Sequence, residues 1–226
     1  MTTKFNRILF DYDGTLIIHG LEDQGKQFSR ILGLAEEQIP EFERRLRIFF
    51  ENPDIRKYYT CKKMTYGLYF SILESVVRPF EDFGITVSQL IDAINEKSRT
   101  GAKLASNAIE TLEYLRNKDY QLCIFTNGFL RPQVAGMKNY GIHEYFDRIY
   151  AWDNFYAKPD KRALKRALAG TEPSCNIMIG DDVIADIAPA KEYGLYTIGI
   201  NLRNQEKCKC VPDIVIKDLI ELKDIL

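Results

Sequence analysis

The chain has 226 residues, 46% hydrophobic and 28% charged, with 31 Lys and Arg against 32 Asp and Glu, so it can build a sizeable core and lacks the net field that would draw in a polyanion. This argues against disorder and against nucleic acid as a partner. Met1-Thr2-Thr3-Lys4 carries no apolar leader, no run approaches the ~18 apolar residues of a membrane helix, and the five scattered cysteines suit reduced thiols; a cytoplasmic protein with no membrane partner is expected.

The first element is the apolar run Ile8-Leu9-Phe10, a buried strand that ends in Asp11-Tyr12-Asp13-Gly14-Thr15. Carboxylates at i and i+2 of an extended chain project to one side, so Asp11 and Asp13 are expected to reach one centre. Held together they repel, and a hard cation such as Mg²⁺, which takes oxygen ligands, removes that penalty. Gly14 permits a tight exit from the strand, and the Thr15 hydroxyl can hydrogen-bond back to orient a carboxylate. Asp11 to Glu22 also has the length of a calcium loop. Leu16 stands where such a loop requires Gly, and no helix precedes it.

From Ile17 to Arg99 helical patterns such as Glu41 to Phe50 and Cys61 to Val77 follow one another with no convincing strand. This predicts a helical cap at 17–99 inserted into a core made of 1–16 and 100–226. Within it Arg44, Arg45, Arg47, Arg56, Lys57, Lys62 and Lys63 accompany Phe49, Phe50, Tyr58, Tyr59 and Tyr66. Such a face can hold a phosphorylated substrate with a planar ring by charge and stacking. The plainer alternative is a solvated helix face over an apolar core.

Beyond the insert, strands and helices alternate. Asn107 to Asn117 carries Ile109, Leu112 and Leu115 at helical spacing, and Gln121 to Phe125 is a strand ending in Thr126-Asn127-Gly128. His143 falls in an ordinary helix-to-strand connection before the strand Arg148 to Trp152. Lys158-Pro159 opens a helix to Ala169, with Pro in its first turn. Asn176 to Ile179 is a strand ending in Gly180-Asp181-Asp182, followed by a helix from Asp186 to Tyr193 that stops at Gly194. Tyr196 to Ile200 and Asp213 to Ile216 complete the set. Between these last strands Cys208-Lys209-Cys210 offers two thiolates, but neither His19 nor His143 is near it to complete a zinc site. Strand alternating with helix predicts parallel strands joined by crossovers, an α/β doubly wound sheet.

Ligands of such sheets collect at the carboxyl ends of the strands. Asp11 and Asp13, the Thr126-Asn127-Gly128 turn, Lys158 and Asp181 all stand there. Asp181 would complete an acidic metal site with the first two. Asp11 can then attack phosphorus, with Asp13 as general acid and base. Lys158, Thr126 and the backbone N–H groups of the Asn127-Gly128 turn would bind the equatorial oxygens of a phosphate, beside Thr15.

These pieces, in this order, resemble the haloacid dehalogenase (HAD) superfamily, whose first motif is D-x-D-G-T. The resemblance takes in Asp11 to Leu16, Thr126-Asn127-Gly128, Lys158 followed by Pro159, and Gly180-Asp181 with Asp186 five positions later. It implies a Rossmann-like core with a helical cap after the first motif. It also implies Mg²⁺ held by Asp11, the backbone carbonyl of Asp13 and Asp181, with Asp182 and Asp186 supporting these ligands from behind. The expected function is hydrolysis of a small phosphorylated metabolite by a monomer or homodimer. Thr126 to Phe129 resembles the branch that cleaves 5′-nucleotides. A phosphosugar mutase and a catalytically silent binding module are the alternatives, whereas the superfamily's dehalogenases lack an acid at the position of Asp13.

Overall fold

The computed structural model describes residues 5–19, 29–51, 78–86, 88–89, 92–93, 102–128, 130–152 and 156–226. Six parallel strands make one sheet: β1 (Arg7–Phe10), β4 (Gln121–Phe125), β5 (Arg148–Tyr150), β6 (Asn176–Asp182), β7 (Tyr196–Arg203) and β8 (Ile214–Ile216), in the spatial order β5-β4-β1-β6-β7-β8. β1 and β6 are buried along their whole lengths, as expected of parallel strands covered on both faces. The Rossmann-like α/β class expected from the alternation is the observed one.

Alternate residues of each strand enter different cores. Ile8, Phe10, Leu122, Ile124, Ile177 and Ile179 pack on one face with Leu112 and Leu115 of α2 (Ala108–Asn117). Leu9, Cys123, Phe125 and Met178 pack on the other with Ala163, Leu164 and Ala167 of α4 (Lys161–Ala167) and Ala190 of α5 (Ala188–Tyr193). Burial drives the Cys123 thiol up to about 12, so it behaves as a small apolar group.

Several local expectations are corrected. Ile109 lies on the outer side of α2 at 41% exposure, and Ala108 and Thr111 join Leu112 and Leu115 on the inner face. Lys158 and Pro159 precede α4 rather than opening it. The Asp160 carboxylate accepts from Arg162 N at 2.9 Å and so begins the helix two residues later. The segment after β6 is a π-helical turn, Val183–Ile187, before α5, whose first turn accommodates Pro189. Gly194 ends it at φ 96°. His143 sits in the short connection between α3 (Leu130–Asn139) and β5, as expected.

The stretch read as free of strands contains one. β2 (Ile17–His19) pairs antiparallel with β3 (Ala102–Leu104), so the chain's departure from the core and its return form a two-stranded ribbon. Between them α1 (Ile39–Glu51) covers the predicted helix at Glu41 to Phe50. Arg44 and Arg45 are both bound to Glu41, at 2.6 and 2.8 Å, and Arg45 also lies over the Phe83 ring. The side chains of Arg47, Phe49 and Phe50, and all of Arg56, Lys57, Tyr58, Tyr59, Lys62, Lys63, Tyr66 and the helix expected at Cys61 to Val77, lie outside the described residues.

Candidate active site

The chain lays down β4 and β5 on one side of β1 and β6 to β8 on the other. A doubly wound sheet opens a crevice where the winding reverses, here at the carboxyl end of β1 between those of β4 and β6. Asp11 follows β1 directly, its N–H donating to Ile179 O at 2.9 Å, and its carboxylate is buried.

Four charged groups meet there. Lys158 Nζ donates to Asp11 Oδ1 at 2.6 Å and to Asp186 Oδ1 at 2.5 Å. Asp11, Asp181 and Asp186 each turn a carboxylate oxygen into one space, all within 4.8 Å of one another and all buried. Asp186 Oδ2 also accepts from Asp182 N at 3.1 Å. Two glycines make this crowding possible. A side chain on Gly180 would bring its Cβ to 2.5 Å from Asp186 Oδ2, and one on Gly14, at φ 92°, would run into the Asp181 carboxylate.

The Lys158 ammonium and the Arg203 guanidinium together do not balance three buried acids. Burial pushes the Asp11 carboxyl up to about 6 against the pull of Lys158, with Asp181 and Asp13 adding to the rise. Burial likewise pushes Asp186 up to about 7 against Lys158. Asp181 is raised by burial, opposed by Arg203. Burial works to lower Lys158, but the charges of Asp11 and Asp186 outweigh it and hold the ammonium above its ordinary value. The surplus of negative charge, the all-oxygen donors and an Asp181 Oδ1 that is buried without a hydrogen-bond partner among the described residues fit a hard divalent cation.

The remaining candidates fall into distinct places. Asp13, expected to converge with Asp11, is not among the three clustered acids. Its chain turns at Gly14, and its carboxylate goes to His19 Nε2 (2.8 Å from Oδ1) and Gln133 Nε2 (2.9 Å from Oδ2). Asp182 is not among the clustered acids. Its Oδ1 accepts from Ile184 N and Ala185 N at 2.8 and 3.1 Å, and its Oδ2 lies 3.1 Å from Arg203 Nη1. Asp186, expected behind the ligands, brings a carboxylate oxygen into the same 4.8 Å group while its Oδ1 accepts from Lys158 and its Oδ2 from Asp182 N. The Thr15 hydroxyl is buried but finds no partner among the described residues, so the expected bond to a carboxylate is not formed there.

Thr126 and Lys158 are coupled through Asn127. Its Nδ2 donates to Lys158 O at 3.0 Å while its Oδ1 accepts from Lys158 N at 2.7 Å, which clips the loop after β4 to the loop after β5. The Thr126 hydroxyl accepts from Gly128 N at 3.0 Å. Phe129 lies outside the described residues.

His19, Gln133 and Arg203 were not anticipated. Arg203, at the end of β7, donates through Nε to Asp181 Oδ2 at 2.6 Å. A cavity of about 410 Å³ adjoins the site, with Gly14, Asp181, His19, Asn201 and Lys217 on its walls. Among the described residues no helix is long and apolar enough to cross a membrane.

Residues 8–200 match the family profile described as haloacid dehalogenase-like hydrolase. A glyceraldehyde 3-phosphate phosphatase of Methanocaldococcus jannaschii is 28% identical over 97% of this chain and 96% of its own length. Its counterpart in Methanothermobacter thermautotrophicus is 30% identical over 53% of this chain, a match that takes in only 57% of that relative. The crystal structure of a HAD phosphatase from Thermococcus onnurineus superposes with a TM-score of 0.66 at 26% identity, covering 98% of this chain and 97% of that one.

Proposed function

Since the chain belongs to the haloacid dehalogenase-like hydrolase family, we propose that it is a Mg²⁺-dependent phosphatase that cleaves a small phosphate monoester through a phosphorylated Asp11. The observation that carries this reading is the buried meeting of Asp11, Asp181 and Asp186 around Lys158. Asp11, Asp181 and Asp186 would hold the ion by their carboxylates, with the backbone carbonyl of Asp13 beside them. Bound Mg²⁺ would screen a phosphate dianion from these acids and draw charge from its oxygens.

The chain's own groups account for the rest. Lys158 holds Asp11 Oδ1, which fixes the direction in which the nucleophile points. An oxygen of Asp11 bonds to phosphorus as the ester P–O bond breaks, and the leaving oxygen takes a proton from Asp13. Water then attacks the aspartyl phosphate, its proton passes to Asp13, and Asp11 and inorganic phosphate separate. Lys158, the Thr126 hydroxyl proton and the Asn127 N–H would steady the equatorial oxygens during both displacements, with Gly128 N–H holding the Thr126 oxygen.

The M. jannaschii relative, named for a triose phosphate and matching nearly end to end, supports a small metabolite as substrate. The helical insert at 17–99 would act as the cap over the core of 1–16 and 100–226, joined to it through the β2–β3 ribbon. Hydrolysis of 4-nitrophenyl phosphate with and without Mg²⁺, by the native protein and by Asp11→Asn, tests the reading. Turnover should require the ion and fall by about 10⁴-fold in the variant. Undiminished activity in Asp11→Asn removes Asp11 as nucleophile.

A further inference from the structure

Gln133, on α3, is only 8% exposed. Its Nε2 donates to Asp13 Oδ2, while its Oε1 is buried without a partner among the described residues. An unmet buried acceptor is costly, a cost that an apolar residue of the same volume would avoid. An amide kept there despite that cost is explained by its other end, at Asp13. Gly128 allows the approach, because a Cβ at that position would collide with the Gln133 amide.

From the opposite side His19, the last residue of β2, brings Nε2 to 2.8 Å from Asp13 Oδ1. When Asp13 is ionised its oxygens can only accept, and this nitrogen then carries the hydrogen. Both oxygens of Asp13 are thus bracketed by N–H donors from two separate elements. The His19–Asp13 pair is exposed, at 36% and 43%, and such pairs add little to stability. Its effect is therefore on direction.

We propose that Gln133 and His19 are positioning residues that hold the Asp13 carboxyl group in the orientation from which it passes a proton to the leaving group, an inference that rests on the phosphatase reading. A carboxylate has about four lone-pair sites, so two accepted hydrogen bonds leave room for the transferred proton. In the first displacement the ester P–O bond breaks, its electron pair stays on the departing oxygen, and that oxygen takes the proton of Asp13. Gln133 and His19 then stabilise the carboxylate left behind. In the second, that carboxylate takes the proton of the attacking water while the bond from phosphorus to Asp11 breaks. His19 also stands on the wall of the cavity beside Gly14 and Asp181, so one brace faces space open to the alcohol portion of an ester.

Two aryl esters separate orientation from general damage. 4-Nitrophenolate departs from phosphorus without a proton, whereas phenolate gains from one. In kcat/KM, which reports the first displacement, Gln133→Met and His19→Leu should each lose about tenfold or more with phenyl phosphate and less than about threefold with 4-nitrophenyl phosphate. His19→Gln, which keeps an N–H donor, should recover most of the phenyl phosphate rate. If Gln133→Met fails to fold by circular dichroism, the exposed His19 variants decide the matter. Equal losses on both esters, no loss on either, or His19→Gln as impaired as His19→Leu overturns the proposal. A native protein with no Mg²⁺-dependent turnover of either ester removes the phosphatase reading itself, and this inference with it. The selectivity comparison requires an active native protein, so the two failures are distinguishable.

Discussion

Asp11 and Asp13 are two residues apart and of the same type, yet they occupy opposite environments. Asp11 is buried with Asp181, Asp186 and Lys158 in a space with more negative charge than positive. The Asp13 side chain is 43% exposed and, among the described residues, is bonded to His19 and Gln133 nitrogens. The first environment stores electrostatic tension that a cation can relieve. The second fixes a direction at little energetic cost. One turn of chain at Gly14 is enough to assign two identical side chains to different tasks.

The largest effect should come from removing the counter-charge of the buried group. Lys158→Met leaves Asp11 and Asp186 without their partner, a change that costs about 3–5 kcal/mol when a buried pair is broken. Thermal melts at pH 7.5 without metal should show a large loss, with Mg²⁺ restoring part of it. An unchanged melting temperature would show that the four groups are not electrostatically coupled.

Next in size, Asp186→Asn should weaken Mg²⁺ binding by about 10–100-fold in calorimetry, while Asp182→Asn, whose carboxylate caps a turn, should leave it within about threefold. Equal effects would erase the distinction between the two acids.

Protonation offers a third way to separate the regions. The folded values of Asp11 (about 6) and Asp186 (about 7) lie above the ordinary carboxyl value of 3.8. The folded protein therefore binds more protons than the unfolded chain between about pH 4 and pH 7. Stability of the metal-free protein is fullest below that window and falls as pH rises through it. Melts in EDTA should drop from pH 5 to pH 8. Because the ion competes with those protons, its affinity should rise over the same interval by up to about tenfold per pH unit for each proton displaced. A flat profile in both measurements would mean that the acids are ionised throughout.

The smallest effect is expected at Arg203, 56% exposed at its side chain, whose guanidinium reaches Asp181 from the solvent side. Arg203→Met should alter stability by less than about 1 kcal/mol.

Much of this architecture was legible in the sequence because fully buried parallel strands are written as unbroken apolar runs. Ile8 to Phe10 and Asn176 to Ile179 could hardly be anything else. β2 was not legible, since Ile17-Ile18-His19 is three residues long and its partner begins at Ala102. At the site, Asp11, Lys158 and Asp181 fall where strand ends predict. The direction of Asp13 did not follow from its spacing, because alternation holds only for an extended chain. Here Leu16 N and Ile17 N both turn back to donate to Tyr12 O. Gln133 is 120 residues from Asp13 and Arg203 is 22 from Asp181, separations that no local pattern encodes. A polar residue at a position of α3 otherwise suited to packing was the available clue for Gln133.

The central place of β1 has a consequence for the order in which the molecule can be made. Its two neighbours, β4 and β6, begin at Gln121 and Asn176, so a strand made earlier than either waits for both of its borders. Lys158 follows Asp11 by 147 residues. A nascent chain halted before Asn176 would carry Asp11 on a strand with one open edge. Such an intermediate should bind chaperones through that edge and remain unable to react until the second half of the sheet has been synthesised.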